Sequence, residues 1–81
     1  MTINLVYVTH PSEYICDELE ARNWTVLYLS ELLNYNLDET EALVHGVIDI
    51  NDRIASDLGR VFDTSKEMWL NLQNIYDIHK S

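Results

Sequence analysis

Apolar residues recur along this chain at two spacings, and each change of spacing marks the boundary of an element. Over residues 2–8 Ile3, Leu5 and Tyr7 alternate against Asn4, Val6 and Val8. This two-residue period, rich in β-branched side chains, predicts a short strand or extended arm over residues 1–9. Such a strand has no ladder of its own, so it would lie on the helices or pair with a second copy or a partner. His10-Pro11-Ser12 then opens a helix, because proline is tolerated in a first turn. That helix runs to about Arg22, with Ile15 and Leu19 inward and Glu13, Asp17, Glu18 and Glu20 on a solvated face. Asn23 suits a left-handed cap.

The next stretch repeats the three-and-four spacing in shorter pieces. Thr25 is placed to cap a second helix over roughly residues 26–33, with Trp24 and Leu29 at the spacing of a hydrophobic staple. Asn34-Tyr35-Asn36 follows, and Asn34 accepts positive φ at low cost. A third helix spans about residues 37–45, with Thr40, Leu43 and Val44 at inward spacing and Gly46 ending it. Helix, short turn and helix over residues 24–46 have the layout of a helix-turn-helix. Asn51 or Asp49 caps a fourth helix with the stripe Ile54, Ala55, Leu58, Val61 and Phe62. Gly59 within it costs about 1 kcal/mol relative to alanine, which close approach of another helix would explain. Thr64-Ser65-Lys66-Glu67 reads as a capping box for a fifth helix over residues 64–79, burying Met68 or Trp69 with Leu72, Ile75 and Tyr76. The fold class expected is all-α, five helices after one strand or arm, in a single domain over residues 1–81.

Composition sharpens this picture. The 81 residues include two glycines and one proline, too little punctuation for a many-turned β fold. The formal net charge is −9. Between Trp24 and Asp49 the charged residues are Glu31, Asp38, Glu39, Glu41 and Asp49, without a lysine or arginine. Such a field repels nucleic acid and anionic membranes and attracts basic partners. Cys16, the single cysteine, allows no internal disulfide or cysteine-based zinc site and is expected to pack as a small apolar residue. No apolar run approaches the roughly 20 residues that cross a bilayer, and no basic, apolar leader opens the chain, so a soluble cytoplasmic protein is expected.

Catalytic chemistry finds little support. His10, His45 and His79 are scattered without metal-ligand spacing, and His45 and His79 suit helix C-termini, where a cation is favoured. The pairs Asp17 with Glu20 and Asp38 with Glu41 read as solvated faces. There is no glycine-rich phosphate loop and no nucleophile elbow. The chain is expected to be a binding module, not an enzyme, with no cofactor and no metal.

Phe62-Asp63-Thr64-Ser65-Lys66-Glu67-Met68-Trp69-Leu70-Asn71-Leu72-Gln73, followed by Tyr76-Asp77, resembles the C-terminal signature F-G-T-S-P-E-F-W-L-N-L-Q and Y-D of HigA-type antitoxins. His10-Pro11 with Glu13 is similar to their H-P-G-E opening, in one register with the helix-turn-helix, so the resemblance spans about residues 10–79. It implies a five-helix domain of the Cro and lambda-repressor kind, usually dimeric, that neutralises a ribonuclease toxin and represses its own operon. The family turn is typically L-G-V-S, followed by a helix and loop rich in Ser, Thr, Arg and Lys. Here the turn reads Leu33-Asn34-Tyr35-Asn36 and the helix carries Asp38, Glu39 and Glu41.

Two functions follow from shape and charge. The first is an interaction protein that binds a basic partner, such as a toxin nuclease, through Glu31, Tyr35, Asp38, Glu39, Glu41 and Asp49. The second is a dimeric DNA-binding regulator, with Thr40, Glu41 and His45 at base edges and Arg53 and Arg60 on phosphates. Acidic residues near phosphates weaken this second alternative, because non-specific affinity rests on released counterions.

Overall fold

The computed structural model describes residues 9–79, and five helices account for most of them: α1 (Ser12–Arg22), α2 (Val26–Leu33), α3 (Leu37–Val44), α4 (Asp52–Phe62) and α5 (Lys66–His79). No strand occurs among the described residues, and the arm expected before Thr9 lies outside them. α3 packs on α2 and α1, α4 on α2, and α5 mainly on α4.

Short polar side chains start four of these helices in one way. Thr25, Asn36, Asn51 and Ser65 each accept the amide three residues on, at 3.0, 2.7, 2.8 and 3.0 Å, satisfying a donor that the helix leaves orphaned. α1 opens differently: the Ser12 amide donates to Nδ1 of His10 at 3.0 Å. The ends are equally uniform. Asn23, Asn34, Gly46 and Asp63 all have φ between 58° and 75°. After each, the following amide reaches back five residues, as Trp24 does to the Leu19 carbonyl at 2.9 Å and Tyr35 to that of Ser30 at 3.0 Å. Gly46 is required twice over, because a Cβ there would also stand 2.9 Å from Ser12 Oγ.

The core joins Ile15, Leu29, Leu43, Leu58 and Phe62 to Trp69, which is fully buried. Four expectations shift here. The capping residue of α5 is Ser65 instead of Thr64, whose hydroxyl accepts the indole N–H of Trp69 at 2.8 Å. On α5 the inward place belongs to Gln73, 5% exposed, while Ile75 is 48% exposed. Gln73 is held there by hydrogen bonding: Oε1 accepts the Ile50 amide at 2.8 Å and Nε2 donates to Asp77 at 2.9 Å. Gly59 answers to the α4–α5 connection, not to the flank of another helix, since a Cβ would stand 2.8 Å from the Thr64 carbonyl oxygen. Cys16 is exposed, not packed, and its thiol donates to the Val44 carbonyl at 3.4 Å. Partial desolvation, followed by Glu13, Asp17 and Glu20, raises its pKa.

Candidate nucleic-acid interface

α2 and α3 meet at a turn that is bolted to α4. Asn34 takes the left-handed conformation, Asn36 caps α3, and the ring of Tyr35 between them turns inward. Its hydroxyl donates to Asp57 Oδ2 at 2.6 Å, and the guanidinium of Arg53 lies over the ring at 4.6 Å. Burial first, then the hydrogen bond to Asp57, pushes the Tyr35 pKa well above the ordinary tyrosine range. The phenol is therefore a fixed donor at neutral pH, and the turn moves with α4.

This anchoring decides what α3 shows to its surroundings. Leu43 and Val44 face the core together with Thr40, which is 0% exposed. The Thr40 hydroxyl donates to the Asn36 carbonyl at 2.9 Å, so Thr40, expected at a base edge, is corrected to a core position. Asp38, Glu41 and His45 are exposed, and their spacing of three and four places them on one outward face. Glu31 is exposed on α2.

The remaining expected residues are engaged within the molecule. Glu39 Oε2 is 2.6 Å from Arg53 Nη2, a hydrogen bond that is the main cause raising the Arg53 pKa. Arg60 reaches Asp57 at 3.7 Å and the Leu32 carbonyl at 3.4 Å. Asp49 lies 3.3 Å from His10 Nε2, and the His10 ring packs edge-on against Tyr76 with centroids 4.8 Å apart. Arg22 pairs with Glu18 and lies over Trp24 and Phe62, and Lys66 is 2.9 Å from Asp52. Thus every lysine and arginine among the described residues has an acidic partner. Sequence reasoning missed this because the pairs Glu39–Arg53 and Asp52–Lys66 are made between separate elements. Among the described residues no cluster of His, Cys, Asp and Glu could hold a metal, and no helix is long and apolar enough to cross a membrane.

Comparison with known proteins places this geometry among bacterial regulators. No family model matches the chain. It is 32% identical over 71 residues to the uncharacterised HTH-type transcriptional regulator YbaQ of Escherichia coli, covering 86% of this chain and 63% of that protein, so the chain spans less than two thirds of the relative's length. An addiction module antidote protein of the HigA family from Coxiella burnetii superposes with a TM-score of 0.84 at 31% identity, over 90% of this chain and 80% of the other. The antitoxin HigA of Pseudomonas aeruginosa, solved with the higBA promoter, gives a TM-score of 0.86 at 31% identity, over 91% of this chain and 82% of the other.

Proposed function

The chain belongs to the HigA family of antitoxins, and from that premise we propose that it is a transcription regulator which, as one half of a dimer, lays α3 in the major groove of its own operator. One observation carries this reading: Asp38, Glu41 and His45 form an outward row on a helix whose other side is fixed by Thr40, Leu43 and Val44. The Pseudomonas relative solved with promoter DNA supports it. Carboxylates accept from cytosine N4, so this row favours exposed amino groups over the guanine edge that an arginine reads. With Arg53 and Arg60 already paired, the phosphate share of the affinity is small and discrimination rests on base edges. The test is retention of a labelled duplex from upstream of the reading frame against a scrambled duplex at physiological salt. We expect at least about tenfold preference, of the size that one mismatched base pair produces. Equal retention of the two contradicts the reading.

A second reading is favoured by a separate observation. Glu31, Asp38 and Glu41 are exposed and make no ion pair among the described residues, so their field is open to a cationic surface. On this reading the same face binds a basic toxin nuclease, by analogy with the family, and steers its approach. Reversal of Asp38, Glu39 and Glu41 to lysine abolishes capture of that toxin; unchanged capture removes this face as the contact surface.

A further inference from the structure

We infer that Glu39 acts as a built-in stand-in for a DNA phosphate, holding the Arg53 guanidinium so that its charge is withheld from a duplex lying against α3. The inference rests on the operator-binding reading above. Arg53 stands in the first turn of α4, beside the start of α3, and is 55% exposed at its side chain against 31% for Glu39. The carboxylate is therefore the more enclosed member and the guanidinium keeps an open side. Two further contacts fix the arrangement: the guanidinium lies 4.6 Å over the Tyr35 ring, and that ring is tied to Asp57. Glu39 is in turn held by α3, its own amide being the one that Asn36 caps at 2.7 Å. The pair joins residues 14 apart on two separate helices, so it forms only once folding has brought α3 and α4 into place. A phosphate arriving at the open side of Arg53 meets a cation already neutralised by an oxygen at 2.6 Å, and the counterion it could release is not gained.

Glu20 supplies the control, because it is exposed on α1, lies outside the row on α3 and makes no ion pair among the described residues. Glu39→Gln and Glu20→Gln change the net charge equally, yet only the first releases Arg53. Binding of the upstream duplex is followed by fluorescence anisotropy over a decade of salt for both variants, wild type and the double variant Glu39→Gln/Arg53→Gln. We expect the slope of log K against log salt to steepen by roughly 0.9 per half-site in Glu39→Gln, nearly an eightfold larger gain in affinity across that decade. Glu20→Gln keeps the wild-type slope, and the double variant loses the added steepness. Equal gains and parallel slopes for Glu39→Gln and Glu20→Gln overturn the inference and leave the operator reading standing. Absence of binding by all four proteins at the lowest salt overturns both. Should Glu39→Gln be unfolded, Glu39→Ala, which also removes the carboxylate, carries the same expectation for the slope.

Discussion

The hydroxyl of Tyr35 and the carboxylate of Asp57 are 2.6 Å apart, and this contact ties the helix-turn-helix to the helix that follows it. Folding keeps the Tyr35 phenol protonated beyond the range in which the unfolded chain ionises, because burial and Asp57 both oppose the phenolate. The sign follows from linkage. The contribution is complete below about pH 10, the unfolded value, and is lost as pH rises through the higher folded value. Tyr35→Phe should cost roughly 1 kcal/mol at neutral pH. Urea midpoints above about pH 10 should fall less steeply for the variant than for wild type. Parallel curves would place Tyr35 in water.

Gln73 should prove more valuable than its surface-like chemistry suggests. Gln73→Leu is close to the original in size but leaves the Ile50 amide without its acceptor, so thermal melting should show a loss of about 1–3 kcal/mol. A neutral or raised melting temperature would mean that the loop before α4 finds another partner.

Gly59→Ala reverses the usual expectation for a helix interior, where alanine is favoured by about 1 kcal/mol. A methyl group would meet the backbone carbonyl of Thr64 at 2.8 Å, and that backbone is held by the Thr64 amide on the Gly59 carbonyl at 2.9 Å. We expect net destabilisation of about 1–3 kcal/mol by denaturant unfolding. A stabilised variant would show that the α4–α5 connection yields.

Much of this fold was legible because its signals are local. Asn23, Asn34 and Gly46 each stop a helix through their own backbone preference, and a reader needs only the residue and its place after an apolar stripe. Asn51, one of the two caps considered for α4, is the one used. What was not legible depends on partners distant in sequence. Thr64 and Ser65 are both good caps, and the choice falls to Ser65 because the buried Trp69 indole requires the other hydroxyl. Periodicity admits Ile75 as an inward residue, but the Ile50 amide requires an acceptor where Gln73 stands. Of the site, the acidity of α3 was plain, whereas the division into outward Asp38 and Glu41 and inward-engaged Glu39 depends on where α4 places Arg53.

Cys16 offers a chemical report on the acidic side of α1. Its thiol is held in the protonated form by partial desolvation and by Glu13, Asp17 and Glu20, and the thiolate is the reactive species. Alkylation near pH 8 should therefore be slower than for an unperturbed thiol, and Glu13→Gln should accelerate it. Identical rates in the two proteins would mean that these carboxylates do not reach the sulfur.

The salt dependence of operator binding bears most directly on the claim that a groove-reading scaffold persists here with its cations internally paired. Contact with 6–10 phosphates would give a slope of about −5 to −9 in log K against log salt. Arg53 and Arg60 of two subunits, if freed, would by themselves supply about −3.6, so we predict a preference for the upstream duplex over the scrambled one with a slope distinctly shallower than about −3.6. A slope of about −3.6 or steeper would contradict the account, since Arg53 and Arg60 would then have left Glu39 and Asp57 for the DNA.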